Sequence, residues 1–309
     1  MNSDIYDVVI AGAGPAGLTA GLYTSREGLK TLVLEKWTCG GLAASTEWIE
    51  NWPGTPDGVK GRDLMKNFKL QAQKFGTQIV ESSELIKAEP AGKNITVTAN
   101  NGRYETRTLI IATGSVPKKL NIPGENEFYG RGVSYCATCD GPFYKGRDIA
   151  VIGCGDSGLQ EGESLLHFVK SIAFVEFLPS MKAEKILQER VQKKPNTRFM
   201  LNHMVTSING QETVRSIAVK DRQTGEEKKI DVTGVFIYIG FLPNSGFVNG
   251  LVELDKFGYI VADDDMRTSI PGIYAAGDVR SKKVRQITTA CSEGTIAAMA
   301  ARDYLKELG

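Results

Sequence analysis

Asp7-Val-Val-Ile-Ala-Gly-Ala-Gly-Pro-Ala-Gly17 and Asp148-Ile-Ala-Val-Ile-Gly-Cys-Gly-Asp-Ser-Gly158 are written on one plan. In each, a β-branched run suited to a buried parallel strand meets Gly-x-Gly-x-x-Gly, and a helical pattern follows. Gly12 and Gly153 permit a tight turn, Gly14 and Gly155 let backbone approach a pyrophosphate, and Gly17 and Gly158 let helix pack on strand. The helix N-terminus, opening at Pro15-Ala16 or Asp156-Ser157, offers unpaired N–H groups to phosphate. A second strand follows each helix and ends in an acid, Glu35 after Thr31-Leu-Val-Leu and Glu176 after Ser171-Ile-Ala-Phe-Val. A carboxylate about twenty residues beyond such glycines accepts hydrogen bonds from a ribose 2′-hydroxyl. The chain therefore reads as α/β, with two Rossmann-like nucleotide-binding domains, each three-layered around a central parallel sheet.

The remaining segments indicate how the two are connected. Short alternating stretches at 77–80, 94–99 and 104–106 precede an apolar strand at 108–112, which ends in Ala112-Thr113-Gly114. The second unit has matching stretches at 198–201, 216–220 and 230–232, then 235–239. Gly272-Ile-Tyr-Ala-Ala-Gly-Asp278 supplies one more buried strand, and a helical pattern with a small and apolar face runs from Ile287 to Leu308. The simplest topology inserts the second domain into the first. Residues 1–116 and 246–309 form one domain and 117–245 the other, joined through Ser115-Val-Pro117 and Leu242-Pro243-Asn244.

Composition narrows the function. Hydrophobic residues make up 41% and charged residues 24%, a globular profile, and 37 basic against 36 acidic residues leave no field that favours nucleic acid. Lys182/Lys185 and Lys282-Lys283 read as solvated surface. No stretch is apolar enough to span a bilayer, and the N-terminus lacks the pattern of a secretory leader. Five cysteines, an odd number, make no disulfide scaffold. A cytoplasmic protein with one special pair, Cys136-Ala-Thr-Cys139, is the expectation.

That pair has four readings. A zinc half-site lacks further ligands, since Cys39, Cys154, Cys291, His167 and His203 are scattered, and no metal is expected. A static disulfide is unusual in the cytoplasm, and two inert thiols are the plainest alternative. A redox dithiol is favoured because Asp140-Gly141 flanks the pair and nucleotide units lie on either side. Disulfide reduction consumes protons, and Asp140 is the candidate acid.

With these pieces placed, the chain closely resembles low-molecular-weight thioredoxin reductases. The resemblance is carried by Gly12–Gly17, Glu50-Asn-Trp-Pro-Gly54, Ala112-Thr113-Gly114, Cys136-Ala-Thr-Cys-Asp-Gly141, Gly272–Asp278 and Arg285-Gln286. It implies FAD in the outer domain, a pyridine nucleotide in the inserted one, a thioredoxin-like protein as disulfide substrate, and a homodimer. It places Gly12–Gly17, Glu35 and Lys36 at the FAD adenosine and pyrophosphate. Gly40, Gly41, Leu42 and Asn51 lie along the flavin, with Ala112–Gly114 nearby. Gly277 and Asp278 hold the ribityl and phosphate portion, and Arg285, Gln286 and Ile287 approach the isoalloxazine. Cys139 is then nearer the flavin and Cys136 exchanges with substrate, while rotation about 115–116 and 243–244 lets nicotinamide and dithiol alternate there. Leu42 departs from the family's usual glutamine.

The donor is decided after the second strand. NADPH-using relatives carry His-Arg-Arg-x-x-x-Arg there, whereas this chain has Glu176-Phe-Leu-Pro-Ser-Met-Lys182. A carboxylate repels a 2′-phosphate and accepts from a free 2′-hydroxyl. The stretch 174–183, with Gly158, resembles the NADH-using flavoprotein of the alkyl hydroperoxide reductase system. That relative's N-terminal relay module has no counterpart before the first glycine motif here, so a separate thioredoxin-like acceptor is expected. NADH is the expected donor, through Gly153, Gly155, Asp156, Ser157, Gly158 and Glu176. Three rivals are a ferredoxin-dependent flavin thioredoxin reductase, a ferredoxin–nicotinamide reductase without a dithiol, and a flavin-binding redox sensor that does not turn over.

Overall fold

The computed structural model describes residues 5–46 and 48–308. The reading that no leader is present falls partly on Met1–Asp4, which lie outside the described residues. The chain divides into two compact units, one comprising Met1–Ala44, Ile49–Val116 and Leu242–Gly309, the other Ser45–Trp48 and Pro117–Phe241.

The first unit begins β1 (Tyr6–Ala11), α1 (Pro15–Arg26), β2 (Thr31–Leu34), α2 (Gly41–Ser45), α3 (Gly61–Lys74), β3 (Gln78–Val80), β4 (Leu85–Ala91), β5 (Asn94–Ala99) and β6 (Gly102–Ile111). The second unit contains, after β7 (Ser115–Pro117), β8 (Val133–Ser134), α4 (Ala137–Asp140), β9 (Asp148–Ile152), α5 (Asp156–Leu165), β10 (Ser171–Val175), α6 (Lys185–Gln192) and β11 (Thr197–Met200). It continues with β12 (His203–Gly210), β13 (Val214–Asp221), β14 (Glu227–Asp231) and β15 (Gly234–Ile237). The chain returns through β16 (Phe241–Pro243), which pairs with β7, to β17 (Ile273–Ala275) and α7 (Ile287–Glu307).

In the first unit the order is β3-β2-β1-β6-β5-β4, with β17 also on β6. Strands β3, β2, β1, β6 and β17 run parallel, and β4-β5-β6 is antiparallel. Side-chain alternation divides the sheet's two faces. Val8, Ile10, Val33 and Ile110 pack under α1 and α7, while Val9, Leu32, Leu34, Leu109 and Ile111 pack with Val97, Val248 and Ile260 on the other side. The second unit repeats this plan. Its parallel sheet is ordered β11-β10-β9-β15-β8, with the antiparallel β12-β13-β14 as a separate sheet. Val151, Phe174 and Phe236 pack with Leu159 and Leu165, whereas Ala150, Ile152 and Val175 pack with Val205, Ile217 and Val219. Each unit is thus three layers with helices on one face and antiparallel strands on the other.

Two sequence expectations change. The stretches at 104–106 and 108–112 are one strand, because β6 uses its first half against β5 and its second half against β1 and β17. Strands β4 and β12 were not expected, since their exposed positions dilute the apolar alternation. Among the described residues, no helix is long and apolar enough to cross a membrane.

Helix α7 lies so close to α1 that a Cβ at Gly294 would overlap the Ala16 carbonyl oxygen. Gly294→Ala should gain about 1 kcal/mol in helix propensity yet lose about 1–3 kcal/mol net through overpacking against backbone that cannot yield. Urea unfolding measures this, and Ser292→Ala, an exposed change on the same helix, should shift stability by less than about 0.5 kcal/mol.

Candidate active site

In the first unit, the three motif glycines have separate physical reasons. Gly12 has φ +101°, and a Cβ there would overlap the Ala112 carbonyl oxygen. A Cβ on Gly17 would overlap the Gly12 carbonyl, while Gly14 faces open space. Pro15 starts α1, and its N-cap Gly14 supplies no side-chain capping bond. The second unit matches position for position. Gly153 has φ +105° and its Cβ would overlap the Tyr238 carbonyl, Gly158 meets Gly153, and Gly155 is open. Such a turn could cradle a phosphate-bearing chain: it has room at the middle glycine and N–H groups at a helix end without a capping side chain.

The acids do more than the sequence indicates. Glu35 accepts the Ala13 N–H at 2.7 Å on one oxygen and the Trp37 N–H at 2.9 Å on the other. Glu176 accepts Cys154 N–H at 2.7 Å and Leu178 N–H at 2.9 Å. Both are buried. Each acid therefore ties its own strand end to the residue between the first two glycines. A carboxylate has about four lone-pair sites, so a ribose hydroxyl can still be accepted.

Other expected positions gather around the first cradle. Gly40 donates to the Ala13 carbonyl at 2.8 Å, and a Cβ on Gly41 would press on Gly14 Cα at 3.3 Å. Ala112 N–H donates to Ala11, and Thr113 Oγ1 and the Gly114 carbonyl bond to Asn244. A Cβ on Gly277 would meet Ala16 Cβ at 2.9 Å. Asn51 Nδ2 donates to Gln286 Oε1 at 3.2 Å, which joins that loop to the residue preceding Ile287 and α7. Leu42 is partly exposed on α2. Lys36, by contrast, pairs with Glu84 at 2.8 Å, and the Arg285 guanidinium lies over the Tyr259 ring at 4.2 Å. Asp156 accepts the Glu184 N–H ahead of α6, at 2.7 Å, and Ser157 follows it in the first turn of α5.

One expectation is corrected here. Lys282 is not solvated surface: its side chain is 7% exposed, 3.3 Å from Asp278 and 3.2 Å from Glu293. Glu293 also accepts the Gly277 N–H at 2.7 Å and lies 3.8 Å from Arg280. A buried carboxylate here needs a cation, and the lysine stem is long enough to supply it. Sequence reasoning missed Glu293, although the signal was available as a lone acid on the small-residue face of α7.

The dithiol sits at the start of α4. Cys136 and Cys139 are joined as a disulfide with Cα atoms 5.4 Å apart. Cys136 is the N-cap, and its sulfur accepts the Cys139 N–H at 3.2 Å. That bond favours negative charge on Cys136 once the pair is reduced. Ser134 Oγ accepts the Cys136 N–H at 3.0 Å and donates to its carbonyl at 3.2 Å, fixing the approach. Upstream, the buried Glu125 accepts from Leu120 and Asn121 N–H groups and from the Tyr135 hydroxyl at 2.7 Å. Burial, then Glu125, pushes the Tyr135 phenol up. Asp140 closes the short helix, its N–H donating to the Cys136 carbonyl at 3.2 Å.

A family model described as pyridine nucleotide-disulphide oxidoreductase matches residues 6–294. The thioredoxin reductase of Listeria innocua is 44% identical over 306 residues, covering 98% of this chain and 95% of the relative. That of Treponema pallidum is 41% identical over 308 residues, covering 100% and 99%. This chain belongs to the thioredoxin reductase family. The crystal structure of the Lactococcus lactis thioredoxin reductase superposes with a TM-score of 0.96 at 39% identity, covering 98% of this chain and 99% of that one.

Within this thioredoxin reductase framework the other cysteines are chemically quiet. Burial, aided by Glu81, raises the Cys39 thiol to about 12, and burial with Glu176 nearby raises Cys154 to about 12. Burial also raises Cys291. At pH 8 a thiol of pKa about 12 is about one part in ten thousand thiolate. Iodoacetamide at pH 8 should therefore modify the oxidised protein slowly, and prior reduction should add two fast sites, Cys136 and Cys139, by peptide mass. The Lys282 correction has its own test: Lys282→Met should lower the urea stability of the flavin-free protein by about 1–3 kcal/mol, because it leaves the buried Glu293 with only the Gly277 N–H and the more distant Arg280. Exposed Lys283→Met should change it by less than about 0.5 kcal/mol.

Proposed function

We propose that this member of the thioredoxin reductase family passes electrons from NADH through FAD and the Cys136–Cys139 pair to a thioredoxin-like protein. The first unit would hold FAD and the second the pyridine nucleotide, each at its glycine turn and acid. The observation that carries the choice of NADH is Glu176, buried and fixed by two backbone N–H groups, with Phe177 and Leu178 beyond it. Two like unit charges 4 Å apart repel by about 4 kcal/mol at an effective dielectric of about 20, so a 2′-phosphate beside this fixed acid is strongly disfavoured. A free 2′-hydroxyl instead finds an acceptor already oriented.

FAD, when bound, supplies the centre that accepts a hydride and returns an electron pair. The open faces of Gly14 and Gly155 leave space for the phosphates of the two nucleotides. The Asn51–Gln286 bond would hold that loop against the entry to α7, whose N-terminus favours negative charge. The disulfide takes up two electrons and two protons to become two thiols, with Asp140 the nearest acid in the chain to deliver one. Cys136, with the Cys139 N–H on its sulfur, would then attack the substrate disulfide, and Cys139 would resolve the mixed disulfide. We read the active form as a homodimer in the cytoplasm, a compartment consistent with three unpaired cysteines.

In anaerobic stopped flow, NADH should reduce the bound flavin at least about tenfold faster than NADPH at equal concentration, given the repulsion above. Faster reduction by NADPH contradicts the donor. Cys136→Ser and Cys139→Ser should each retain FAD and lose thioredoxin reduction, and full activity in both would contradict the dithiol.

A further inference from the structure

The loop leaving Glu176 carries a feature that the two backbone bonds to the Glu176 carboxylate do not explain. Phe177 is 50% exposed, a large apolar surface placed immediately after the acid. The Arg222 guanidinium, from the end of the β13–β14 hairpin, lies 3.6 Å from the Phe177 ring centroid. It is anchored there, because its Nη1 donates to the Phe177 carbonyl at 2.9 Å and to Asn202 Oδ1 at 3.3 Å. The backbone beneath is equally fixed. Glu176 and Leu178 carbonyls accept from His203 and Asn202 N–H groups, and Arg222 N–H donates to the Asn202 carbonyl. Asn202 reaches this position with φ 58°.

We propose that the Phe177–Arg222 stack is a platform for the adenine ring of the nucleotide bound by the second unit, an inference that rests on the proposed nucleotide site there. An aromatic ring and a planar guanidinium present flat π surfaces, the complement of a purine. Two of the guanidinium's five N–H donors, both on Nη1, are spent on protein oxygens, which fixes its plane against the Phe177 ring and closes its Nη1 end to a 2′-phosphate. The first unit has a related arrangement one residue later in its loop. Trp37 is 70% exposed, and the Lys36 ammonium lies 5.5 Å from its ring.

The test is calorimetric titration of the FAD-loaded protein with ADP-ribose and with 2′-phospho-ADP-ribose. Phe177→Ala and Arg222→Ala should each weaken ADP-ribose about tenfold, the size expected for loss of one stacking partner. Because the two form one stack, the double variant should be weaker than either by much less than the product of the two effects. Lys229→Ala, which removes the same charge from the neighbouring exposed strand, should leave affinity unchanged. Unchanged ADP-ribose affinity in both single variants, with wild type binding, overturns the platform alone. A loss confined to 2′-phospho-ADP-ribose in Arg222→Ala makes the residue a phosphate clamp and also overturns it. Failure of wild type to bind ADP-ribose removes the nucleotide reading of the second unit and this inference together.

Discussion

Two buried carboxylates, each bridging a glycine turn to the end of the next strand, set the geometry on which both halves of the molecule rest. Glu35 and Glu176 each accept one N–H from the residue between the first two motif glycines and one from their own loop, with matching distances. A buried carboxylate without such donors is costly, and an N–H in a tight turn without an acceptor is costly too. Each group satisfies the other. The turn can then close only where Gly12 and Gly153 adopt positive φ against a carbonyl that leaves no room for a Cβ. The result is a helix N-terminus open to an anion, with an oriented oxygen pair beside it.

That constraint explains why so much of the fold was legible. Glycine spacing, β-branched runs and strand-ending acids are local patterns with a direct physical cause, so the parallel strands at 6–11, 31–34, 148–152 and 171–175 follow from the residues alone. The antiparallel layers were harder to read. Leu85–Ala91 alternates weakly, with Lys87 and Glu89 exposed and ion-paired to each other, so its apolar stripe is thin. The continuity of β6 was hidden because Arg107, which separates the alternating stretch from the apolar one, lies on the strand and reaches Asp7 at 3.8 Å.

The site was legible in its residue types and less so in their connections. The Cys136-x-x-Cys139 spacing and the acids announce themselves, whereas the donors to Glu35 and Glu176 are backbone groups that no side-chain pattern reveals. Lys282 read as surface because a lysine pair in a polar loop usually is. Only the fold brings Glu293, two turns into α7, against the Gly277–Asp278 loop and draws Lys282 inward. Arg222 is likewise distant in sequence from Phe177, and the hairpin that delivers it was placed only in part from sequence.

The central claim is that a nucleotide-reduced flavin empties its electron pair into Cys136–Cys139 without help from any partner protein. The most direct measurement is a thiol count. FAD-loaded protein is incubated anaerobically with excess NADH in the absence of thioredoxin, quenched with an alkylating reagent and analysed by peptide mass. The account predicts two newly alkylated residues, Cys136 and Cys139, and none in a sample without NADH. Flavin bleaching by NADH with Cys136 and Cys139 still joined as a disulfide would contradict it.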